Sequence, residues 1–309
     1  MPKVSVVIPT RNRADLIGRA VESALAQTDG DLEVLIVDDA SEDGTRDVIA
    51  GIEDARVKYF RHDVCLGVSA ARNTAIGHAA GEFVAFLDDD DEWLPEKLRL
   101  QLDCFAQASR SVGLVCAGHH EVDRASNRIT AEAIPVDRGW IFERLLRQGR
   151  FNHTSTILVR TECFARVGLF DLTYHYSEDF DLWLRIAREY ECEFVEMPLA
   201  RVYAQPDGLS QNYDAIIAGT HAHLVKYREF YDNNPAVFKE RLQMLGSCYC
   251  IVGDAKRGRQ MYYQAIARRP LAVKSYFGAA LSLMGSPAFR FCLAAGIWTA
   301  ARRLLGGWR

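Results

Sequence analysis

"FVAFLDDDDEWLPEKL" (83–98) runs from an apolar, strand-like stretch straight into four consecutive aspartates, then Glu92 and the start of a new helix. Two carboxylates about 5 Å apart repel by about 3 kcal/mol at an effective dielectric of about 20, so the run calls for full solvation or for positive charge among the acids. A solvated acidic turn is the plain reading. Position favours another, because the carboxyl ends of strands in open α/β sheets are where such folds place ligands.

The neighbouring sequence supports a sheet of that kind. "KVSVVIPT" (3–10) and "LEVLIVDDAS" (32–41) are apolar runs with β-branched residues, and Ile17, Ala20, Val21, Ala24 and Leu25 recur between them at helical spacing. The unit strand–helix–strand repeats: "RVKYFRH" (56–62) follows a helix over 45–52, and "EFVAFLDDDD" (82–91) follows one over 70–80. None of these strands alternates enough to have a wet face, which predicts a largely parallel sheet covered by helices on both sides. Beyond it the spacing predicts a helix over 95–108, a strand over 112–122, a strand turning into a helix over 155–168, a helix over 177–190 and a last strand over 192–205. From about Asp214 only helices are expected. The segment 253–285 reads as one tetratricopeptide-like hairpin, with Ala255, Tyr262, Ala265 and Pro270 at packing and break positions; a single repeat must lean on a neighbour.

Composition narrows the class. The chain has 309 residues, 49% hydrophobic and 25% charged, as expected of a soluble globular protein. The N-terminal apolar run breaks at Pro9, too short for a signal peptide or membrane span, so a cytoplasmic protein is expected. Eight cysteines (65, 104, 116, 163, 192, 248, 250 and 292) form no CxxC pair and read as reduced, mostly buried thiols. The net charge of −4 is uneven: ten basic and no acidic residues follow Asp254, leaving 27 basic and 41 acidic side chains in residues 1–254, a net −14. Confined to apolar helices, the tail's charge fits nucleic acid poorly. "PAFRFCLAAGIWTAARRLLGGWR" (287–309) suits an amphipathic interfacial helix with basic and Trp anchors, and equally a helix packed on its own protein.

Three acidic clusters fall where strands end or helices begin: Asp38-Asp39, Asp88 to Asp91, and Glu178-Asp179 with Asp181. Parallel strands bring such ends to one edge. In the first cluster Ser41 or Asp43 serves to cap the next helix, leaving Asp38 and Asp39 to accept hydrogen bonds from a nucleoside. "PTRNRADLIGRA" (9–20) lacks the Gly-x-Gly-x-x-Gly of dinucleotide binding, and no P-loop sequence occurs. The second cluster suits a hard divalent cation, Mg²⁺ or Mn²⁺. If the segment is extended, Asp88 and Asp90 point one way, Asp89 and Asp91 the other. Arg72, at a helix start, with Arg11 and Arg13 supplies positive charge for a diphosphate or base.

"VSVVIPTRNR", "LEVLIVDDASEDGT", "GVSAARNTAI", "GEFVAFLDDDDEWLPEKL" and "SEDFDLWLR" together resemble, in order and spacing, the bacterial glycosyltransferase family 2 enzymes. The resemblance spans roughly residues 2–215. It implies an α/β GT-A fold, a mostly parallel sheet flanked by helices, as a domain over 1–215. A helical C-terminal region over 216–309 would carry the hairpin and the basic amphipathic tail. It further implies inverting transfer of a sugar from a nucleotide-diphosphate donor, most often a UDP-sugar, with Mg²⁺ or Mn²⁺. The acceptor would be a glycan or lipid-linked hydroxyl in envelope or surface polysaccharide synthesis.

Carried over position by position, the resemblance places Pro9, Thr10 and Asn12 by the nucleotide, Asp39 on the base, Arg72 close to the base or diphosphate, and Asp89 at the ribose. Asp88 and Asp90 take the places of the family's Asp-x-Asp at the metal. Asp179 matches the general base that deprotonates the acceptor, with Glu178 beside it for orientation. Two departures stand out: Cys65 replaces a frequent Asn, and "VYAQPDGLS" (202–210) lacks the Tyr-Arg-x-His that often follows the last strand. His153, in "FNHTSTILV", is a further candidate near the acceptor, and the walls from Val112 to Thr154 are expected to select it. Two other classes compete: a haloacid-dehalogenase-like phosphohydrolase, against which Glu92 and Trp93 follow the acids, and a non-catalytic sugar-nucleotide-binding scaffold. The basic tail points to docking at the inner face of an anionic membrane.

Overall fold

The computed structural model describes residues 2–174, 176–203 and 212–285, with 287 and 289. It divides into two compact units: 1–173 with 178–206, and 174–177 with 207–309.

The first unit opens with β1 (Val4–Thr10), α1 (Ile17–Leu25), β2 (Leu32–Asp38), α2 (Thr45–Ala50), β3 (Val57–Arg61), α3 (Val68–His78) and β4 (Phe83–Phe86). Every residue of β1, β2 and β4 is buried, so these strands have no solvent face, as their apolar runs require. In α1 the spacing read from the sequence is the packing face: Ile17, Ala20, Val21 and Ala24 are fully buried against the sheet. Next come β5 (Glu92–Trp93), α4 (Lys97–Gln107), β6 (Val112–Asp123), β7 (Arg128–Ala133) and α5 (Phe142–Gln148). A 3₁₀ turn (Thr154–Thr156), β8 (Leu158–Arg160), α6 (Glu162–Val167), α7 (Glu178–Glu189) and β9 (Glu191–Tyr203) complete the unit.

All nine strands belong to one sheet of order β3-β2-β1-β4-β8-β6-β9-β5, with β7 added on β6. Strands β3, β2, β1 and β4 are mutually parallel, as are β6 and β9. Antiparallel β8 sits between β4 and β6, and antiparallel β5 and β7 lie on the outer pairs. The parallel reading thus holds for the N-terminal half, and the sheet becomes mixed beyond β4. Neither β7 nor α5 was expected. β7 is exposed at five of its six positions and so carries no hydrophobic alternation, and α5 has only seven residues.

The second unit contains α8 (Tyr213–Lys226), α9 (Arg228–Asn233), α10 (Pro235–Val252), α11 (Ala255–Arg268) and α12 (Val273–Leu283). The hairpin read from 253–285 corresponds to α11 and α12, and both pack on α10. Tyr262 is fully buried and its hydroxyl bonds Ser247 at 2.8 Å. A Cβ at Gly246 or Gly278 would come within 2.9 or 2.3 Å of that ring, so both glycines exist to let it in. The seven described cysteines are all free, five of them buried. Cys292 and the tail from 290 lie outside the described residues.

Candidate active site

The carboxyl ends of β1, β2 and β4 and the start of α7 bring the acidic clusters to one edge of the first unit. At the end of β2, Asp38 is wholly buried and accepts from the Ser41 amide (2.8 Å), the Tyr59 hydroxyl (2.7 Å) and Arg61 Nη1 (2.9 Å). Asp39 Oδ1 accepts from the Leu66 amide at 2.8 Å and is paired at 2.8 Å with His62 Nδ1; Oδ2 accepts from the Gly67 amide (2.8 Å) and the Cys65 thiol (3.2 Å). Cys65, at the place where the family often has Asn, thus donates to Asp39 through its thiol. Gly67 has φ of +91°, so the loop that brings two amides to Asp39 depends on glycine. Burial opposes ionisation of both carboxyls, yet these donors hold both below the usual range. Asp39 is thus the anchor of the 62–67 loop, and a base contact would have to share or open one of these bonds.

The end of β4 differs. The strand stops at Phe86, and the Asp91 amide donates to the Asp88 carbonyl at 3.1 Å, closing a turn over Asp89 and Asp90. The alternation expected of an extended segment is therefore absent, and the turn sends each acid to a different neighbour. Asp88 Oδ1 accepts from Arg72 Nη2 at 2.8 Å. Asp89 accepts from Thr10 Oγ1 at 2.7 Å, with Arg13 Nε 3.7 Å away. Asp90 faces Arg124 Nη2 at 3.7 Å, and its carbonyl accepts from Arg19 Nη2 at 3.0 Å. Asp91 is buried, with Oδ2 accepting from Ser155 Oγ (2.6 Å) and Oδ1 from the Tyr203 amide (3.1 Å).

These partners do not balance the charge. Burial, reinforced by Asp90 and Asp88, pushes Asp89 up to about 7, and burial with the same two neighbours pushes Asp91 up to about 7 despite His153. Asp88 is the exception: burial would raise it, but Arg72 and His153 hold it low. The His153 Nδ1 lies 3.3 Å from Asp91 Oδ2, and the carboxylates raise its affinity for a proton in spite of burial. Ligand atoms of Asp88, Asp91 and His153 lie within 4.8 Å of one another, the grouping the described residues offer a metal ion. Asp90 is outside it. Oxygen donors with one imidazole suit Mn²⁺ or Mg²⁺, so the residues fit a hard divalent cation.

Arg72 ties this turn to α7. It is 5% exposed, and its other terminal nitrogen, Nη1, donates to Glu178 Oε1 at 2.8 Å. Burial works against its charge, but Asp88 and Glu178 more than offset that and keep it a cation. Glu178 is shifted upward by burial and by adjacent Asp179. Asp179 is half-buried, with Oδ2 accepting from Thr154 Oγ1 at 2.9 Å and Oδ1 from the Phe180 amide at 2.6 Å. Ser177 just before has φ of +59°, a left-handed value uncommon for serine. Asp181, by contrast, is buried in an ion pair with Arg185 and belongs to the helix.

Of the residues expected at the nucleotide, Pro9 and Thr10 end β1, and Thr10 binds Asp89. Asn12 adopts φ of +53°; its amide donates to Ser41 Oγ and its Oδ1 accepts from the Glu42 amide, both at 2.8 Å, so it clamps the loops after β1 and β2 together. Arg11 and Arg13 are exposed. The sequence singled out neither Ser155, Thr154 nor Arg124, the last two falling only within the expected acceptor walls, and read Asp91 only as a second-pair acid. The exit loop lacking Tyr-Arg-x-His lies, from Ala204, outside the described residues.

A profile of glycosyl transferase family 2 matches residues 5–172. The chain is 30% identical over 186 residues to the UDP-Glc:alpha-D-GlcNAc-diphosphoundecaprenol beta-1,3-glucosyltransferase WfgD of Escherichia coli, covering 60% of this chain and 70% of that one. Among solved structures it is similar to the mannosyltransferase PcManGT of Pyrobaculum calidifontis in complex with GDP-Man and Mn²⁺ (TM-score 0.60, 20% identity, 96% and 88% of the two chains). It is similar also to S. aureus TarS 1–349 in complex with UDP (TM-score 0.57, 15% identity, 93% and 91%). These likenesses establish the GT-A fold, and the matched residues include the β1, β2 and β4 ends described above. The chain belongs to glycosyl transferase family 2.

Proposed function

We propose that this transferase moves a sugar from a nucleotide-diphosphate donor, a UDP-sugar, to the hydroxyl of a lipid-linked glycan, with inversion at the anomeric carbon. The observation that carries the reading is the crowding of four acids at the β4 turn, where ligand atoms of Asp88, Asp91 and His153 lie within 4.8 Å of one another. Asp89 and Asp91 are pushed to about 7 beside Asp88 and Asp90, while Arg72 and Asp179 stand at the same edge. A buried turn short of positive charge is stabilised by a cation bound together with a diphosphate.

We assign metal contact to Asp88, a member of the Asp88–Asp91–His153 grouping, and to Asp90, two residues on in the same turn, the pair that the family resemblance places at the metal. When bound there, Mg²⁺ or Mn²⁺ supplies positive charge to the departing diphosphate. Arg72 adds a fixed guanidinium to the same end. Pro9, Thr10 and Asn12 shape the nucleotide side, Asp89 is set by Thr10 to meet the ribose, and Asp39 holds the 62–67 loop under the base. Asp179 takes the proton of the attacking hydroxyl, and Glu178 fixes Arg72 beside it. Nothing in the family match supports a phosphohydrolase.

We place the enzyme at the cytoplasmic face of a membrane, where lipid-linked acceptors are met. Among the described residues no helix is long and apolar enough to cross one. Support comes from α12 and its approach, where Leu271, Val273, Tyr276, Leu283 and Met284 are exposed in a stretch without acidic residues. The full chain should float with phosphatidylglycerol vesicles and not with phosphatidylcholine; equal flotation with both, or with neither, contradicts the placement. The reaction itself is tested by incubating UDP-glucose with GlcNAc-diphosphoundecaprenol and Mn²⁺ and analysing the product by NMR. A β-linked product supports the proposal. An α-linked product refutes inversion, and absence of UDP release refutes this donor.

A further inference from the structure

The 3₁₀ turn Thr154–Thr156 and the residue before it touch both ends of the site. His153 Nδ1 approaches Asp91 Oδ2 (3.3 Å), Thr154 Oγ1 donates to Asp179 Oδ2 (2.9 Å), and Ser155 Oγ donates to Asp91 Oδ2 (2.6 Å) while accepting from the Asp88 amide (3.1 Å). Three consecutive side chains thus hold acids from the β4 turn and from α7.

The turn is itself braced. Trp93 Nε1 donates to the Ser155 carbonyl at 2.7 Å, Gln101 Nε2 donates to the Thr156 carbonyl at 2.9 Å, and Thr156 Oγ1 donates to the His153 carbonyl at 2.7 Å. Thr154, Ser155 and Thr156 are at most 3% exposed. Buried hydroxyls cost free energy unless they are hydrogen-bonded, and here all three donate, two of them to site carboxylates. Neither hydroxyl of Thr154 and Ser155 is needed to cap a longer helix, because the turn is a single one.

We propose that this turn is the spacer of the site: Thr154 is a positioning residue that aims the Asp179 carboxylate at the acceptor hydroxyl. Ser155 holds the Asp88–Asp91 turn, so that one braced element sets the separation between base and diphosphate. The inference rests on Asp179 being the base. Displacing a catalytic group by about 1 Å costs up to about 10²-fold in rate, which is the scale expected here.

The test compares Thr154→Val, isosteric but without the hydroxyl, with Thr154→Ser, which keeps it, reading UDP release from UDP-glucose with acceptor and UDP affinity by calorimetry. Thr154→Val should lower kcat about 10- to 100-fold with UDP affinity unchanged, and Thr154→Ser should restore most of the rate. Equal losses in both variants, or unchanged kcat in Thr154→Val, would overturn the proposal. Asp179→Asn separates the two readings. If it abolishes turnover while Thr154→Val is fully active, only the spacer role fails. If Asp179→Asn retains turnover, the base assignment fails and this inference with it.

Discussion

The ends of β2 and β4 flank the end of β1, and each carries adjacent aspartates, yet their chemistry is opposite. Asp38 and Asp39 together accept from seven partners within the protein, so both are held below the usual carboxylate range. At β4, Asp89 and Asp91 have fewer partners and more neighbouring charge, and sit at about 7. The same residue type at the same kind of strand end is saturated with donors in one case and crowded by like charge in the other. What separates them is the supply of donors, and those come from elsewhere in the chain.

The largest contrast should appear on substitution. Asp90→Ala should reduce turnover by about 10²- to 10³-fold, the scale of losing one charge-stabilising group, with the melting temperature held or raised. A large fall in melting temperature would place Asp90 with the structural acids. Asp39→Ala should do the reverse to the fold: it leaves two amides, a thiol and His62 without their acceptor, and denaturant unfolding should show a loss of about 3–5 kcal/mol. A loss below about 1 kcal/mol would mean that the 62–67 loop does not depend on it.

Acid and alkali should act on the two ends in opposite directions. Asp38 and Asp39 have folded values below the unfolded value of about 3.9, so their contribution is complete above that pH and is lost as pH falls through their folded values. Asp89 and Asp91 have folded values of about 7, so the metal-free protein is favoured below about 4 at these groups and loses that contribution as pH rises from about 4 to about 7. Melting followed from pH 5 to pH 8 without divalent ions should therefore show declining stability, recovered at pH 8 by Mn²⁺. The smallest effect isolates one acid: Asp89→Asn should stabilise the metal-free protein by about 1–2 kcal/mol at pH 8 and by much less at pH 5. Equal effects at both pH values would show that Asp89 does not carry the repulsion.

Much of the fold was legible because β1, β2 and β4 are uniformly apolar and α1 repeats its apolar residues at helical spacing. β7 was not legible, since an exposed strand carries no pattern. The clusters and Arg72 were legible by position, but their division of labour was not. Extended alternation split the β4 acids into Asp88 with Asp90 and Asp89 with Asp91, whereas the Asp91 amide closes a turn on Asp88 and seats Asp91 in a buried pocket with Ser155. Thr154 and Ser155 lie 25 and 64 positions from the carboxylates they bind, and an isolated hydroxyl has no periodicity or charge run to announce it. Cys65, read from the sequence only as a departure from the family's pattern, donates a hydrogen bond to Asp39.

The claim that the β4 end awaits a cation with a diphosphate, and the β2 end does not, is tested most directly by calorimetric titration of UDP into the full chain with Mn²⁺ and then with EDTA. UDP should bind with Mn²⁺ present and lose its affinity when the ion is removed. Equal binding under both conditions, or no binding under either, would contradict it.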